Sequence, residues 1–436
     1  MVGWFNLSSI VDVMLFIFIF YPIVGGIFWI IGGTYYHFRT KNRLPKFPEG
    51  TKEPFITIMV PCHNEEVVIE RTLHYLDTQI NYKNYEIIAI SDGSTDNTNT
   101  ILRNWQETKP DSHLRVIEVQ KNKGKAHGLT QAALHSKGDF LLCIDADSFV
   151  TGDALKHMVA WFMKDSIFSP KELVAAFTGN PMPRNLTSLL AKLQYVEYHS
   201  IIGMTKRAQS MIGRIFTVSG VCVMYRREAL IDIGLFDQSK ITEDIAVSWA
   251  LQLKGWRIQY APNARCYMEV PEKISVLYKQ RRRWAQGGLE VFMSHALDVL
   301  LHPVKTFPFI FLLMDQFLSI MWAIFWFISS LFVIYWLFFW VALGDGFQIR
   351  RFMISALIFI MYEFIVGVTQ LLTSIWFNDS DKAAMKYSLF AGWYTWIYWL
   401  ISPFTLLAAL PRAIKAQITG GGGGTWVSPE RQKTRD

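Results

Sequence analysis

Two aspartates one residue apart, Asp145 and Asp147, directly follow a fully apolar run of the chain. A hard cation such as Mg²⁺ or Mn²⁺ commonly binds one or two carboxylates together with phosphate oxygens of a substrate. The same spacing also occurs in solvated turns. Because this pair follows a buried strand, we favour a site for a cation and a phosphate group.

Three further segments carry side chains that could act on a ligand. Asp92 opens the sequence DGSTD, where Asp96 could cap the next helix and Asp92 could contact a base or a ribose. Thr242 precedes Glu243 and Asp244, which suit the start of a helix, so local sequence alone does not make Asp244 a general base.

The third segment, QRRRW at residues 280–284, precedes an apolar block. It is typical of a basic interfacial belt with a Trp anchor. Arginine also suits bidentate recognition of a diphosphate. Both roles can hold at once.

The elements that must position these residues alternate between strand and helix. Such alternation predicts βαβ units and a mostly parallel sheet covered on both faces. Ligands bind at the carboxyl ends of such strands, where the first, second and fourth strands are followed by polar residues. The predicted strands are 55–60, 85–90, 114–119 and 140–144, and the predicted helices are 64–76, 97–105 and 124–135.

The composition of the 436 residues separates this domain from the rest of the chain. The chain is 51% hydrophobic and only 18% charged, against about 25% charged in an ordinary soluble domain. This excludes disorder, collagen and a small disulfide scaffold. Charged residues are nearly absent from four blocks, each long enough to span a bilayer: residues 13–31, 308–343, 352–377 and 388–410.

Charges around the first block predict the orientation of the chain. No charged side chain occurs in residues 1–10, whereas Arg39, Lys41, Arg43 and Lys46 follow the block. The positive-inside rule then places the large domain in the cytoplasm. The block is too long for a signal peptide core and lacks a basic N-terminal region, so we expect a retained anchor.

The C-terminal topology stays open. Block 308–343 exceeds one span, and we prefer an interfacial helix plus one span to two short spans. The basic tail from residue 412 favours the inside, whereas four spans would place it outside. Glu363 falls midway along its block, and we take it as a hypothesis that it lines a translocation path.

Cysteine usage agrees with a reducing compartment. Cys62, Cys143, Cys222 and Cys266 form no CxxC pair, so we predict free thiols. The net charge of +7 is modest and gives no indication of nucleic-acid binding.

Taken in order, Asp92, the DxD at 145–147, the TED at 242–244 and the QxxRW at 280–284 resemble the motifs of processive, inverting family 2 glycosyltransferases. The resemblance spans roughly residues 50–300. It is strongest to the bacterial members that make poly-β-1,6-linked N-acetylglucosamine. The segments that suggest this branch are PCHNEE (61–66), FTVSG (216–220), ITEDI (241–245), QRRRWAQGG (280–288) and TWVSPER (425–431).

The resemblance implies an α/β fold of the GT-A-like type, with Rossmann-type βαβ units, joined to α-helical transmembrane segments. It implies UDP-N-acetylglucosamine as donor, Mg²⁺ or Mn²⁺ as cofactor and a β-1,6-linked biofilm exopolysaccharide as product. The implied roles are uridine binding for Asp92 and Asp145, metal binding for Asp147, general base for Asp244, and contacts with the substrate, acceptor or pyrophosphate for Glu243, Gln280, Arg283 and Trp284.

Lys125 could reach uridine or phosphate, although an ordinary loop lysine explains it equally well. The resemblance also implies a growing polysaccharide acceptor, a lipid bilayer, a small membrane subunit and an export system as partners. It places the enzyme in the bacterial inner (plasma) membrane as a multi-pass protein that couples synthesis to translocation.

We therefore expect an N-terminal anchor and linker (1–50), a glycosyltransferase domain (51–300), interfacial and transmembrane helices (301–411) and a tail with a Gly linker (412–436). Two alternatives remain within the class, a hyaluronan- or chitin-type β-1,4 polymerase and a lipid glycosyltransferase. Outside it stands a non-catalytic membrane protein that binds a nucleotide sugar.

Overall fold

The computed structural model describes residues 7–164, 170–304, 306–307, 309–377, 385–396 and 398–421. Within these residues the strands form one eight-stranded sheet with the order β3-β2-β1-β4-β7-β6-β8-β5. The strands are β1 (Ile56–Cys62), β2 (Tyr85–Asp92), β3 (Leu114–Val119), β4 (Phe140–Cys143), β5 (Phe149–Val150), β6 (Val174–Pro183), β7 (Val223–Arg226) and β8 (Arg257–Met268).

The sheet is mostly parallel, which confirms the predicted fold class. The four predicted strands are β1 to β4, and they pair in parallel as β3-β2-β1-β4. The later strands are mixed, because β7 lies antiparallel between β4 and β6 and β5 lies antiparallel beside β8. The carboxyl ends of the parallel strands β1, β2 and β4 therefore meet at one edge of the sheet, as the strand pattern predicts.

Strand β1 runs beyond its predicted end. The sequence predicted a strand that ends at residue 60, before Pro61, but Pro61 pairs with Ile90 inside the β1–β2 ladder. The pairing of β1 with β4 ends at Met59. The missing N–H of Pro61 therefore leaves no hydrogen bond unformed on the β4 side of the strand.

Two apolar cores cover the two faces of the sheet. Side chains of β1 alternate between them, with Ile58 in one and Met59 in the other. The first core is covered by α2 (Ile69–Gln79), α3 (Thr98–Thr108) and α5 (Ala154–Met163). The second is covered by α4 (Lys125–His135), α8 (Arg227–Asp232) and α9 (Glu243–Leu253). Helices α4 and α9 begin with Lys125 and Glu243, so their shared face brings these residues to one place.

A second group of helices adjoins the domain. It comprises α1 (Leu7–Thr40), α6 (Leu189–Tyr198), a π-helix (His199–Thr205), α7 (Lys206–Met211), α10 (Ile274–Leu301), α11 (Phe309–Ala342), α12 (Gly346–Phe377), α13 (Ala391–Trp396) and α14 (Ile401–Thr419). The predicted anchor forms the middle of α1. Tyr36 near the end of α1 donates a hydrogen bond to the carbonyl of Tyr260, 3.0 Å away, and so fastens α1 to the domain.

Among the described residues, α11 and α12 are long and apolar enough to cross a membrane. The most apolar stretch of α12 buries none of its residues, and that of α11 buries only 22%. Exposed apolar surface of this extent suits lipid rather than a soluble core. The chain is therefore membrane-associated.

Block 308–343 is not divided into two helices, because α11 is one continuous helix of 34 residues. A helix of this length extends about 51 Å at 1.5 Å per residue, more than the roughly 30 Å of a hydrocarbon core. One unbroken helix can therefore cross the bilayer and continue into the interface.

Block 388–410 is long enough for a fourth span, but its described residues do not form one regular α-helix. The block is divided among two 3₁₀ turns (Ser388–Phe390 and Tyr398–Leu400), α13 and the start of α14. Ala409 and Ala413 of α14 pack with Leu289 of α10, so α14 lies along that helix. The predicted tail begins at residue 412, but α14 continues to Thr419 and ends at Gly420, so the first part of the tail is helical. Residues 422–436 of the tail lie outside the described residues.

Candidate functional site

Asp92 ends β2 and holds the loop that leads into α4. Its buried carboxylate accepts hydrogen bonds from the backbone N–H groups of Lys123, at 3.0 and 3.1 Å, and Gly124, at 2.7 Å. His63, at the end of β1, bonds through Nδ1 to the carbonyl of Asp92 at 2.8 Å. The ends of β1 and β2 and the β3–α4 loop are thereby joined.

Gly93 permits this arrangement. It adopts φ +65°, and a Cβ at this position would overlap with the backbone N of Asn122. Glycine is therefore required where the β2 turn meets the loop. The next turn also follows prediction, because a carboxylate oxygen of Asp96 accepts from the N–H of Thr98 at 3.0 Å at the start of α3.

Lys125 joins two of the predicted site carboxylates. Its ammonium lies 2.6 Å from Asp145 Oδ1 and 3.1 Å from Glu243 Oε1. Burial alone would lower the pKa of Lys125, but the charges of Asp145 and Glu243 raise that pKa well above its usual value. The lysine is therefore a charged bridge between β4 and α9, rather than an unpaired loop side chain.

Asp147 lies two residues beyond Asp145 and is buried, with Oδ1 accepting from the hydroxyl of Ser148 at 3.0 Å. Among the described residues, no three His, Cys, Asp or Glu side chains lie close enough to hold a metal alone. The chemistry of the two carboxylates still suits Mg²⁺ or Mn²⁺, since these ions complete their coordination with substrate phosphate oxygens and water.

Asp244 lies on the first turn of α9, next to the Glu243–Lys125 pair. Burial and the charge of Glu243 raise the pKa of Asp244 to about 6, while Lys125 and Arg283 partly offset this rise. A Cβ at Gly220 would lie 3.4 Å from Asp244 Oδ2, so the Ser219–Gly220 segment borders this carboxylate. A carboxylate of this pKa is suited to accept a proton near neutral pH.

Helix α10 brings the QxxRW segment to the same region. The charge of Arg283 helps to hold the pKa of Glu243 below its usual value against the effect of burial. Gln280 and Trp284 lie half-buried on the same helix. Thr242 occupies the N-cap position of α9, but its hydroxyl makes no capping bond and packs against Gly287 of α10.

Sequence reasoning missed Lys206, the first residue of α7. Its buried ammonium donates to the hydroxyl of Ser219 at 2.7 Å and lies 3.4 Å from that of Thr178. Burial lowers the pKa of Lys206 to about 7 despite the charge of Asp244. The only feature of the sequence that could have indicated Lys206 is a lone Lys-Arg pair within an apolar stretch.

It also missed a contact of Arg281, the second residue of QRRRW. Arg281 forms two hydrogen bonds to Glu197 of α6, at 3.0 and 2.6 Å. Glu197 lies in a segment without a recognisable motif, so no pattern in the sequence could pair it with Arg281. Glu363 lies half-buried in the middle of α12.

Comparisons with known proteins show the family and the fold of the chain. Residues 53–287 match the family described as glycosyltransferase like family 2. The chain is 37% identical to poly-β-1,6-N-acetyl-D-glucosamine synthase of Staphylococcus aureus, over 96% of this chain and 98% of that protein. It is 36% identical to the synthase of the same name from Staphylococcus epidermidis, over 95% of this chain and 97% of that protein.

One solved structure is similar over most of the chain. A mannosyltransferase from Pyrobaculum calidifontis, in complex with GDP-Man and Mn²⁺, superposes with a TM-score of 0.54 at 19% identity. The match covers 90% of this chain and 98% of that chain. At this identity the likeness shows the shared fold.

Proposed function

The chain belongs to glycosyltransferase family 2, and we propose that it polymerises N-acetylglucosamine from UDP-N-acetylglucosamine into a β-1,6-linked exopolysaccharide. It is a hexosyltransferase of the family that the sequence motifs indicated. The observation that carries the proposed product is the similarity to poly-β-1,6-N-acetyl-D-glucosamine synthases over nearly the whole of both chains.

The donor would bind at the edge of the sheet where β1, β2 and β4 end. Asp145 and Asp92 would hold the uridine side, Asp92 through the loop that it positions. Asp147 would hold a divalent cation, Mg²⁺ or Mn²⁺, together with the diphosphate oxygens. The bound cation would supply positive charge next to the leaving diphosphate.

Asp244 would act as the general base. As the C6 hydroxyl of the terminal sugar attacks the anomeric carbon, its proton passes to a carboxylate oxygen of Asp244. The bond from the anomeric carbon to UDP breaks, and its electron pair leaves with the diphosphate. A single displacement of this kind inverts an α-linked donor to a β-linked product.

The remaining site residues would orient the reactants. Arg283 would stabilise negative charge that develops on the diphosphate. Gln280 and Trp284 would contact the acceptor end, where the indole face offers a surface for a sugar ring. Glu243 would act with Lys125 by fixing the first turn of α9 and so the position of Asp244.

We place the chain in the bacterial inner (plasma) membrane as a multi-pass protein, with residues 51–300 as a cytoplasmic catalytic domain. The helices of residues 301–411 would form the membrane part and assist translocation of the polymer, with Glu363 along the path. A small membrane subunit and an export system would be its partners.

The test is to incubate membranes that contain the full chain with UDP-N-acetylglucosamine and Mg²⁺, and to treat the product with a β-1,6-specific glucosaminidase. We expect a polymer that this enzyme degrades. A polymer degraded only by chitinase would indicate a β-1,4 synthase, and a single sugar on lipid would indicate a lipid glycosyltransferase. Nucleotide-sugar binding without turnover would indicate a non-catalytic binding protein. Any of these three results contradicts the proposal.

The charge of Lys125 should affect how the rate of sugar transfer depends on pH. A base must be deprotonated to act, so activity should rise as pH increases through the pKa of Asp244, about 6. Lys125 lowers this pKa, and Lys125→Met should therefore move the acidic limb of the rate profile to higher pH. Initial rates measured between pH 5 and pH 8 will report the shift.

Lys125→Arg is the matched control for this prediction. It keeps a positive charge between Asp145 and Glu243, so its acidic limb should stay near that of the unaltered enzyme. If the Lys125→Met variant and the unaltered enzyme have the same acidic limb, Lys125 does not influence the pKa of the base.

A further inference from the structure

Two neighbouring arginines of the QRRRW segment have different surroundings. Arg281 is 14% exposed and forms its two hydrogen bonds with Glu197, which is 5% exposed. Arg282 lies over the ring of Tyr278 on its own helix, 5.8 Å from the ring centroid. Of these two arginines, only Arg281 forms an ion pair between α10 and α6 among the described residues.

A third side chain completes the Arg281 cluster. The phenol of Tyr398, in the 3₁₀ turn before α14, donates to Glu197 Oε2 at 2.9 Å. The guanidinium also lies 3.5 Å from the phenol oxygen. We call Glu197, Arg281 and Tyr398 the Arg281 clamp. It joins α6, α10 and the C-terminal segment at one buried point.

The clamp also reaches Trp284. The guanidinium carbon of Arg281 lies 4.5 Å from the centroid of the Trp284 ring, one helical turn along α10. A planar guanidinium over an indole gives a cation–π contact. Because Glu197 fixes the guanidinium in a bidentate pair, the orientation of the indole is fixed too, and Arg281 covers one of its two faces.

We propose that Glu197 and Arg281 are positioning residues that present the opposite face of Trp284 to the growing sugar chain. Tyr398 ties this platform to the C-terminal segment that the polymer would have to pass. The inference rests on the proposed function, since it assigns the acceptor end of that same site. It requires that loss of the clamp releases the polymer early but leaves single transfers intact.

The test compares Arg281→Lys and Glu197→Gln with the matched control Arg282→Lys in the full chain in membranes. Lysine at 281 keeps the charge but loses both the planar stack and the bidentate pair. We expect the two clamp variants to shorten the mean product by about threefold to thirtyfold, because the indole is no longer held in one orientation by a stacked guanidinium in a bidentate pair. UDP release per enzyme should stay within about threefold of the unaltered enzyme.

Tyr398→Phe removes one hydroxyl and should give an intermediate length, whereas Arg282→Lys should give products of full length. Calorimetric UDP binding confirms that each variant is folded. Full-length polymer from Arg281→Lys would overturn the inference. So would equal shortening by Arg281→Lys and Arg282→Lys, or complete loss of UDP release from a clamp variant that still binds UDP.

Product length and product linkage are separate measurements here. If the unaltered enzyme makes a polymer that resists the β-1,6-specific glucosaminidase, the proposed product is wrong, while the lengths still test the clamp. If the linkage is β-1,6 but the clamp variants leave the length unchanged, only the present inference fails.

Discussion

Asp244→Asn is expected to lower the rate of sugar transfer by roughly 10²–10⁴-fold, the usual contribution of a positioned general base. Asparagine has nearly the same size and can still accept a hydrogen bond from the N–H of Ile245, as Asp244 does at 2.9 Å. It cannot take a proton from an attacking hydroxyl. The substitution therefore removes the proposed chemistry and keeps the shape of the first turn of α9.

Two measurements on the Asp244→Asn variant separate chemistry from binding. Polymer formation from UDP-N-acetylglucosamine should be lost, whereas calorimetry should still detect UDP. The matched control is Asp237→Asn, seven residues earlier along the chain, because Asp237 is exposed and bonds to the N–H of Ser239 at 2.8 Å. Polymer synthesis at the unaltered rate by the Asp244→Asn variant would refute the role of Asp244.

The parts of the site that lie at strand ends could be predicted from the sequence. Apolar runs locate β1, β2 and β4, and a parallel sheet must bring their carboxyl ends together. Asp92 and Asp145 were therefore placed correctly at one edge without a structure. Asp244 was different, because a helix start with two acidic residues is common, and only the order of the motifs marked it.

Contacts between distant segments could not be predicted in this way. Arg281 and Glu197 are 84 positions apart, and nothing in the periodicity of either helix fixes which faces meet. The bridge from Lys125 to Glu243 likewise depends on α4 and α9 covering the same face of the sheet. Helix α9 follows the mixed part of the sheet, where β7 lies antiparallel between β4 and β6, and the strand pattern did not predict this part.

The C-terminal blocks show a further limit of hydropathy. Residues 388–410 are as free of charge as a spanning segment, yet their described residues include two 3₁₀ turns and do not form one regular α-helix. An apolar composition indicates only that exposure of the segment to water is unfavourable. Small side chains such as Ala409 and Ala413 allow α14 to approach α10 closely, so α10 covers one side of α14.

Gly287→Ala should lower the rate of sugar transfer by about 10²-fold, because a misplacement of about 1 Å in a catalytic group has an effect of this size. A Cβ at position 287 would overlap with Oγ1 of Thr242 and lie 2.6 Å from its Cβ. Thr242 directly precedes Glu243 and Asp244, so any displacement of Thr242 moves the proposed base. Relief of the overlap by movement of α10 would instead displace Arg283 and Trp284.

Gly288→Ala is the matched control. Both glycines are buried in the interior of α10, so both substitutions gain the same helix propensity, up to about 1 kcal/mol. A Cβ at position 288 would lie 3.7 Å from Phe216 Cζ, an ordinary van der Waals contact. Gly288→Ala should therefore keep full activity and equal or greater thermal stability, while Gly287→Ala loses activity and about 1–3 kcal/mol of stability. Initial rates and thermal unfolding of the two variants measure this contrast, and equal activity would show that the packing of α10 against Thr242 does not position the base.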